Sequence, residues 1–212
     1  MEIAPDRRPL KTRSAAWAQR LAAALAGRNV SPNGISIAGI GFACGGAAAL
    51  PAGAHGWIHP VAGFLLGAAG IQLRLLCNML DGLVAVEGGK KSATGDLFNE
   101  MPDRLEDGVL LVAAGYACGD PSAGWLCAVL AVLTAYVRAF GASLGKGQDF
   151  CGPGAKPHRM FLLTVGCLVA AGCPVADLTP PVLQITLWAI AALTALTACR
   201  RAVRLYRKMG NL

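Results

Sequence analysis

The chain has 212 residues, of which 55% are hydrophobic and only 15% charged, with a net charge of +7. That composition excludes an ordinary soluble domain. The basic excess does not call for a nucleic-acid partner either, because basic residues flanking membrane spans account for it and also attract anionic lipid.

Residues 1–28 are basic and amphipathic and do not read as a signal peptide, since no small-residue cleavage site follows them. Within them, 14–28 (SAAWAQRLAAALAGR) predicts a helix lying on the cytoplasmic face, with Trp17 near the headgroups. No Asp, Glu, Lys or Arg occurs over 29–73, which is room for two spans of about 20 residues each. Further uncharged runs cover 121–137, 160–176 and 178–199. The run 108–119 is shorter: twelve residues reach about 18 Å against a hydrocarbon core of about 30 Å. Its helix must therefore begin inside the acidic segment before it, and those acidic turns must face protein or water. Six helices are expected, over 33–54, 58–82, 97–118, 122–144, 158–174 and 182–205. Lys and Arg occupy the N-terminus, the 82–104 and 145–159 loops and the C-terminal tail, whereas the alternate loops near 51–57, 118–123 and 173–181 contain none. By the positive-inside rule both termini and the acidic segment are cytoplasmic.

The eight cysteines show no CxxC spacing and behave as small hydrophobes, although Cys118 and Cys173 could pair on the far face. Glycines over 39–46 read as packing surface.

Seven of the twelve acidic residues fall between Asp81 and Asp107. Carboxylates this dense beside membrane-grade hydrophobicity are costly unless they bind cations or face a wet cavity. Arg74, Asn78, Asp81 and Ala85 share one face of the second span, and Asn99, Asp103 and Asp107 share one face of the third, with Glu106 flanking it. The two helices, joined by a short loop, are expected to be antiparallel neighbours whose oxygen-bearing faces meet. Gly82 and Gly95 leave room for close approach.

This segment resembles the CDP-alcohol phosphotransferase family of phospholipid-synthesising membrane enzymes, whose pattern D-x2-D-G-x2-A-R-x8-G-x3-D-x3-D runs across the second and third of six spans. The matching residues are Asn78, Asp81, Gly82, Ala85, Val86, Gly95, Asn99 and Asp103, with every spacing kept. Three identities depart: Asn78 and Asn99 replace the first and third aspartates, and Val86 replaces the arginine. The SPNGIS run at 31–36 looks like the family's entry to the first span. The run from Tyr136 to Ala139 is similar to that of members using phosphorylated polar acceptors.

The resemblance implies an all-α integral membrane protein: residues 1–30 form a cytoplasmic juxtamembrane helix and 31–212 a six-helix transmembrane catalytic domain in a bacterial inner membrane, often as a homodimer. It implies transfer of a substituted phosphate, with a lean toward phosphatidyl, from a CDP-linked lipid or alcohol donor to a polar alcohol acceptor, releasing CMP. Mg²⁺ or Mn²⁺, one or two ions, is implied at Asp81, Asp103, Asn78 and Asn99, with Asp103 as general base. Gly82, Ala85 and Gly95 are implied to make room for the cytidine moiety. A carboxamide keeps an acceptor oxygen but attracts a cation less, so a member that binds without turnover is the alternative. Arg138, Lys156 and Arg159 suit a phosphate on donor or acceptor. Arg74 either pairs with a carboxylate or touches a substrate phosphate. His55 and His59 fall on the far face, and His158 reads as a helix-start residue.

Overall fold

The computed structural model describes residues 15–87, 95–173 and 179–210, and these form seven helices and no strand. They are α1 (Ala16–Gly27), α2 (Pro32–Ala54), α3 (Pro60–Glu87), α4 (Gly95–Ala117), α5 (Pro121–Ser143), α6 (Lys156–Gly172) and α7 (Thr179–Gly210). Each of the six expected helices is present within a few residues of its expected bounds. The starts have local causes. Ser31 accepts the Gly34 amide at 3.0 Å and precedes Pro32, and Asp120 accepts the Ala123 amide at 3.0 Å and precedes Pro121. A side-chain oxygen satisfies an orphan donor, and proline follows where no amide hydrogen is needed.

Among the described residues, four helices are long and apolar enough to cross a membrane: Pro32–Ala54, Pro60–Val86, Pro121–Ser143 and Pro181–Gly210. The expected third and fifth spans, α4 and α6, do not meet that measure. α4 carries its charges in its first turns, and α6 has 17 residues with Lys156 and Arg159 at its start. Both pack inside the bundle, α4 against α2 and α5, α6 against α3 and α7. Their apolar faces join one core that includes Phe64, Ile71, Leu110, Leu111, Met160, Leu163 and Leu187.

α1 lies against the end of α3, burying Ala18 and Ala22 on Met79, Leu80 and Val84, while Trp17 stays exposed. All eight cysteines lie within the described residues as free thiols, Cys118 and Cys173 included.

α2 and α3 cross at backbone contact. A Cβ on Gly63 would lie 2.5 Å from the Cα of Gly53, and one on Gly70 would lie 2.7 Å from the Cα of Gly46. α2 also packs against α4, whereas α3 and α4 approach each other more loosely than their short connection suggests. The gap between them is bridged by long charged side chains. Gly63→Ala is expected to destabilise the protein by about 1–3 kcal/mol through overpacking, read as a lowered thermal midpoint in detergent. Gly45→Ala, with nothing within 4 Å, is expected to be neutral or slightly stabilising.

Candidate active site

The inward face of α3 presents Arg74, Asn78 and Asp81 in successive turns, and α4 answers with Asp103, Glu106 and Asp107. Deepest is Arg74, fully buried, whose guanidinium reaches Glu106 at 3.1 Å and Asp107 at 2.5 Å. Arg159 of α6 takes the other Asp107 oxygen at 2.6 Å and donates to the Gly154 carbonyl at 2.7 Å. One carboxylate thus joins guanidinium groups from two helices. The choice between partners for Arg74 is settled within the protein: it pairs with carboxylates.

One turn outward, the Asn78 amide donates to Asp103 at 2.5 Å and to Glu106 at 2.9 Å. Ionised carboxylates only accept, so the carboxamide must turn its amino group toward them. Its oxygen faces Gly39 of α2, 3.5 Å from where a Cβ would stand, and Glu106 Oε1 lies 3.1 Å from the same point. That Glu106 oxygen is buried without a hydrogen-bond partner. The Lys156 ammonium contacts Asp103 from α6.

Asp81, 4% exposed, accepts the Ser36 hydroxyl at 2.7 Å and the Gly82 amide at 2.5 Å. Gly82 and Ala85 lie half-buried on the following turn of α3. Gly95 begins α4, but the side chains of 95–99, and with them Asn99, lie outside the described residues, as does the loop 88–94. Among the described residues, no three His, Cys, Asp or Glu side chains converge as a metal-ligand set. The carboxylates of α4 are instead turned onto Arg74, Asn78, Lys156 and Arg159.

Nearer the α4 start, Glu100 pairs with Arg104 and, at 2.6 Å, with Arg138 of α5, whose guanidinium sits 5.3 Å over the Phe150 ring. The three cations expected to share one phosphate are therefore each matched to a different carboxylate: Arg138 to Glu100, Lys156 to Asp103 and Arg159 to Asp107.

Beside Arg138 opens a cavity whose lining includes Lys146, Asp149, Arg201 and Lys208. The loop before α6 builds it by docking on α7. The Gly154 amide donates to Thr197 at 2.7 Å, and a Cβ on Gly154 would strike the Leu193 backbone at 2.4 Å. Arg201 clamps the loop through the Cys151 carbonyl at 2.9 Å and reaches Thr134 O at 2.9 Å. Burial pushes the Asp149 carboxyl up, but hydrogen bonds from Cys151 and the nearby Arg204 and Lys208 charges hold it below the usual range. The sequence reading missed this cavity and the Ser36 bond to Asp81. A serine inside SPNGIS was the available sign of the second, while the first joins residues drawn from Val137 to Lys208 with no shared periodicity.

No family model matches the sequence. The chain is 27% identical over 179 residues to a phosphatidylinositol phosphate synthase of Mycolicibacterium smegmatis, covering 81% of this chain and 76% of that protein. It superposes on the crystal structure of the Mycobacterium tuberculosis phosphatidylinositol phosphate synthase with CDP-DAG bound, with a TM-score of 0.74 at 23% identity over 91% of this chain and 94% of that one. The same enzyme in complex with manganese and citrate gives a TM-score of 0.75 at 22% identity, over 89% and 88%. The likeness to these structures is one of fold.

Removing one partner of a buried pair strands a charge and costs about 3–5 kcal/mol, whereas an exposed pair contributes at most about 1 kcal/mol. Asp107→Ala is therefore expected to lower unfolding stability in detergent far more than Glu100→Ala, whose side chain is 53% exposed. Equal losses in denaturant titration would refute the central place given to Asp107.

Proposed function

We propose that this chain, which belongs to the CDP-alcohol phosphotransferase family, moves a phosphatidyl group from a CDP-linked lipid to a hydroxyl of a polar alcohol and releases CMP. The observation that carries the reading is the pair Asp81 and Asp103, on separate helices, the first held by the Ser36 hydroxyl and the second by the Asn78 amide, in a polar site among otherwise apolar helices. The relatives named as phosphatidylinositol phosphate synthases, one of them crystallised with CDP-DAG, support a CDP-diacylglycerol donor.

The residues present fit a divalent cation such as Mg²⁺ or Mn²⁺. Asp81 and Asp103 are hard oxygen donors suited to a hard ion, and Asn78 and Asn99 hold the other two acidic positions of the motif. The unpartnered Glu106 Oε1 adds another oxygen beside Asn78. When bound, the cation neutralises charge on the donor diphosphate. A relative's structure in complex with manganese supports this.

In the reaction, the acceptor oxygen forms a bond to the phosphorus that carries the lipid. The bond from that phosphorus to the oxygen leaving with CMP breaks, and Asp103 takes the hydroxyl proton. Gly82, Ala85 and Gly95 line the side on which the nucleotide enters. The acceptor is a phosphorylated polyol. Its phosphate sits in the cavity of Arg138, Lys146, Arg201 and Lys208, next to the motif because Arg138 touches Glu100, one turn before Asp103. Lys156 is the cation facing Asp103, and Arg159 is the buried anchor of α6 on Asp107.

The chain is a six-span bundle in a bacterial inner membrane, with α4 and α6 completing the four apolar spans and with the termini, α1 and the site on the cytoplasmic side. Two copies form a dimer through exposed apolar helix faces.

CMP release from CDP-diacylglycerol with Mg²⁺ or Mn²⁺ and phosphorylated polyols tests the assignment. Asp103→Ala is expected to reduce turnover at least about 100-fold, the scale of a lost general base, and EDTA to abolish it. Lys146→Ala is expected to raise KM for a phosphorylated acceptor about tenfold, one charge-assisted hydrogen bond, without changing that for CDP-diacylglycerol. Retained CDP-lipid binding without CMP release from any acceptor would convert the reading into a binding protein.

A further inference from the structure

We infer that this site takes one divalent cation per chain, with the Lys156 ammonium and the Asn78 amide standing where a second would be held. The inference rests on the reading of Asp81 and Asp103 as metal ligands.

The argument begins with charge. Four carboxylates, Asp81, Asp103, Glu106 and Asp107, face three cations, Arg74, Lys156 and Arg159, which leaves one negative charge. Asp107 spends its two oxygens on two guanidinium groups. Glu106 gives Oε2 to Arg74 and Asn78, and Asp103 gives Oδ1 to Asn78 and Lys156. Each carboxylate of α4 in this group therefore has a cationic partner.

Asp81 differs. It is buried, its two oxygens receive only a hydroxyl and a backbone amide, and among the described residues no Lys or Arg pairs with it. A buried carboxylate that no cation contacts directly is unfavourable unless a cation joins it. This is the place for the ion.

A second ion has no equivalent place. Carboxylates at 103 and 106 would repel across the gap if nothing positive lay between them. The Asn78 amino group lies there, donating to both, and Lys156 adds a full charge on the Asp103 side. An aspartate at 78 would reverse this, putting a third carboxylate against the other two and creating the demand for a cation that the amide now meets. Asn99 removes a further carboxylate from the same motif. The Asn78 carboxamide and the lysine thus act together: they exchange an exogenous divalent charge for one supplied by the chain.

The test is a count. Mn²⁺ titrated into the purified full-length protein, with free ion followed by its electron paramagnetic resonance signal, is expected to saturate at one ion per chain. Asn78→Asp combined with Asn99→Asp is expected to raise this to two. Two ions on the unmodified chain would overturn the inference while leaving the metal-dependent reading intact. No bound ion on the unmodified chain, with CMP release insensitive to EDTA, would overturn both. The unmodified count decides the matter alone if the double variant does not fold.

Discussion

Asp107 is the constraint on which the molecule turns. A single carboxylate, 1% exposed, is shared by Arg74 of α3 and Arg159 of α6. None of these three charges could be buried alone, because taking an unpaired ion out of water costs several kcal/mol. Helix α4 is too polar in its first turns to sit among apolar helices by itself, and α6 is short and begins with cations. Each becomes compatible with the bundle only when its charges meet those of the others. The ion pairs are therefore weak evidence of net stability but strong determinants of which turns face each other. The same register that satisfies Asp107 brings Asn78 to Asp103.

Charge is graded outward from that point. Arg74 and Glu106 are shut off from solvent, Lys156 and Asp103 are each about one-fifth exposed, and Glu100 is half exposed. Interactions in the inner layer are little screened, and those in the outer layer are screened and cheap to exchange. A site that must release one charged molecule and admit another needs its exchangeable pairs near the opening. Glu100 and Arg138 have that position, with Arg138 also lining the cavity beside α7.

Much of this was legible in the sequence. Uncharged runs located the helices because burial in lipid or protein forbids isolated charge. Spacings of three and four residues put Asn78 with Asp81, and Asp103 with Asp107, because helical periodicity needs no tertiary knowledge. What could not be read is how faces are matched. The short connection suggested that α3 and α4 pack tightly, but glycine pairs pull α2 against α3 and leave the α3–α4 gap to long side chains. Arg159 looked like a cation for substrate because its partner lies 52 residues away on another helix. Ser36 gave no sign beyond its place in a helix entry, since only the crossing of α2 over α3 carries its hydroxyl to Asp81. Asn99 was legible as a motif position, but its side chain lies outside the described residues.

The two asparagines acquire their meaning from these matched faces. Read along the chain, a carboxamide in place of a carboxylate is a loss of charge and suggests a weaker site. Read across the helices, Asn78 is the donor that two α4 carboxylates require, and an oxygen in its place would leave them repelling each other. The substitution is thus balanced by what faces it: Glu106 and Lys156, neither of them a motif position, complete the electrostatics around Asp103. An isolated decay of the motif would have left those carboxylates without donors. That each of them meets a donor argues that the polar site of this chain is a coherent arrangement, with Asp81 the one carboxylate of the group that no Lys or Arg contacts among the described residues and hence the side from which a cation is drawn in.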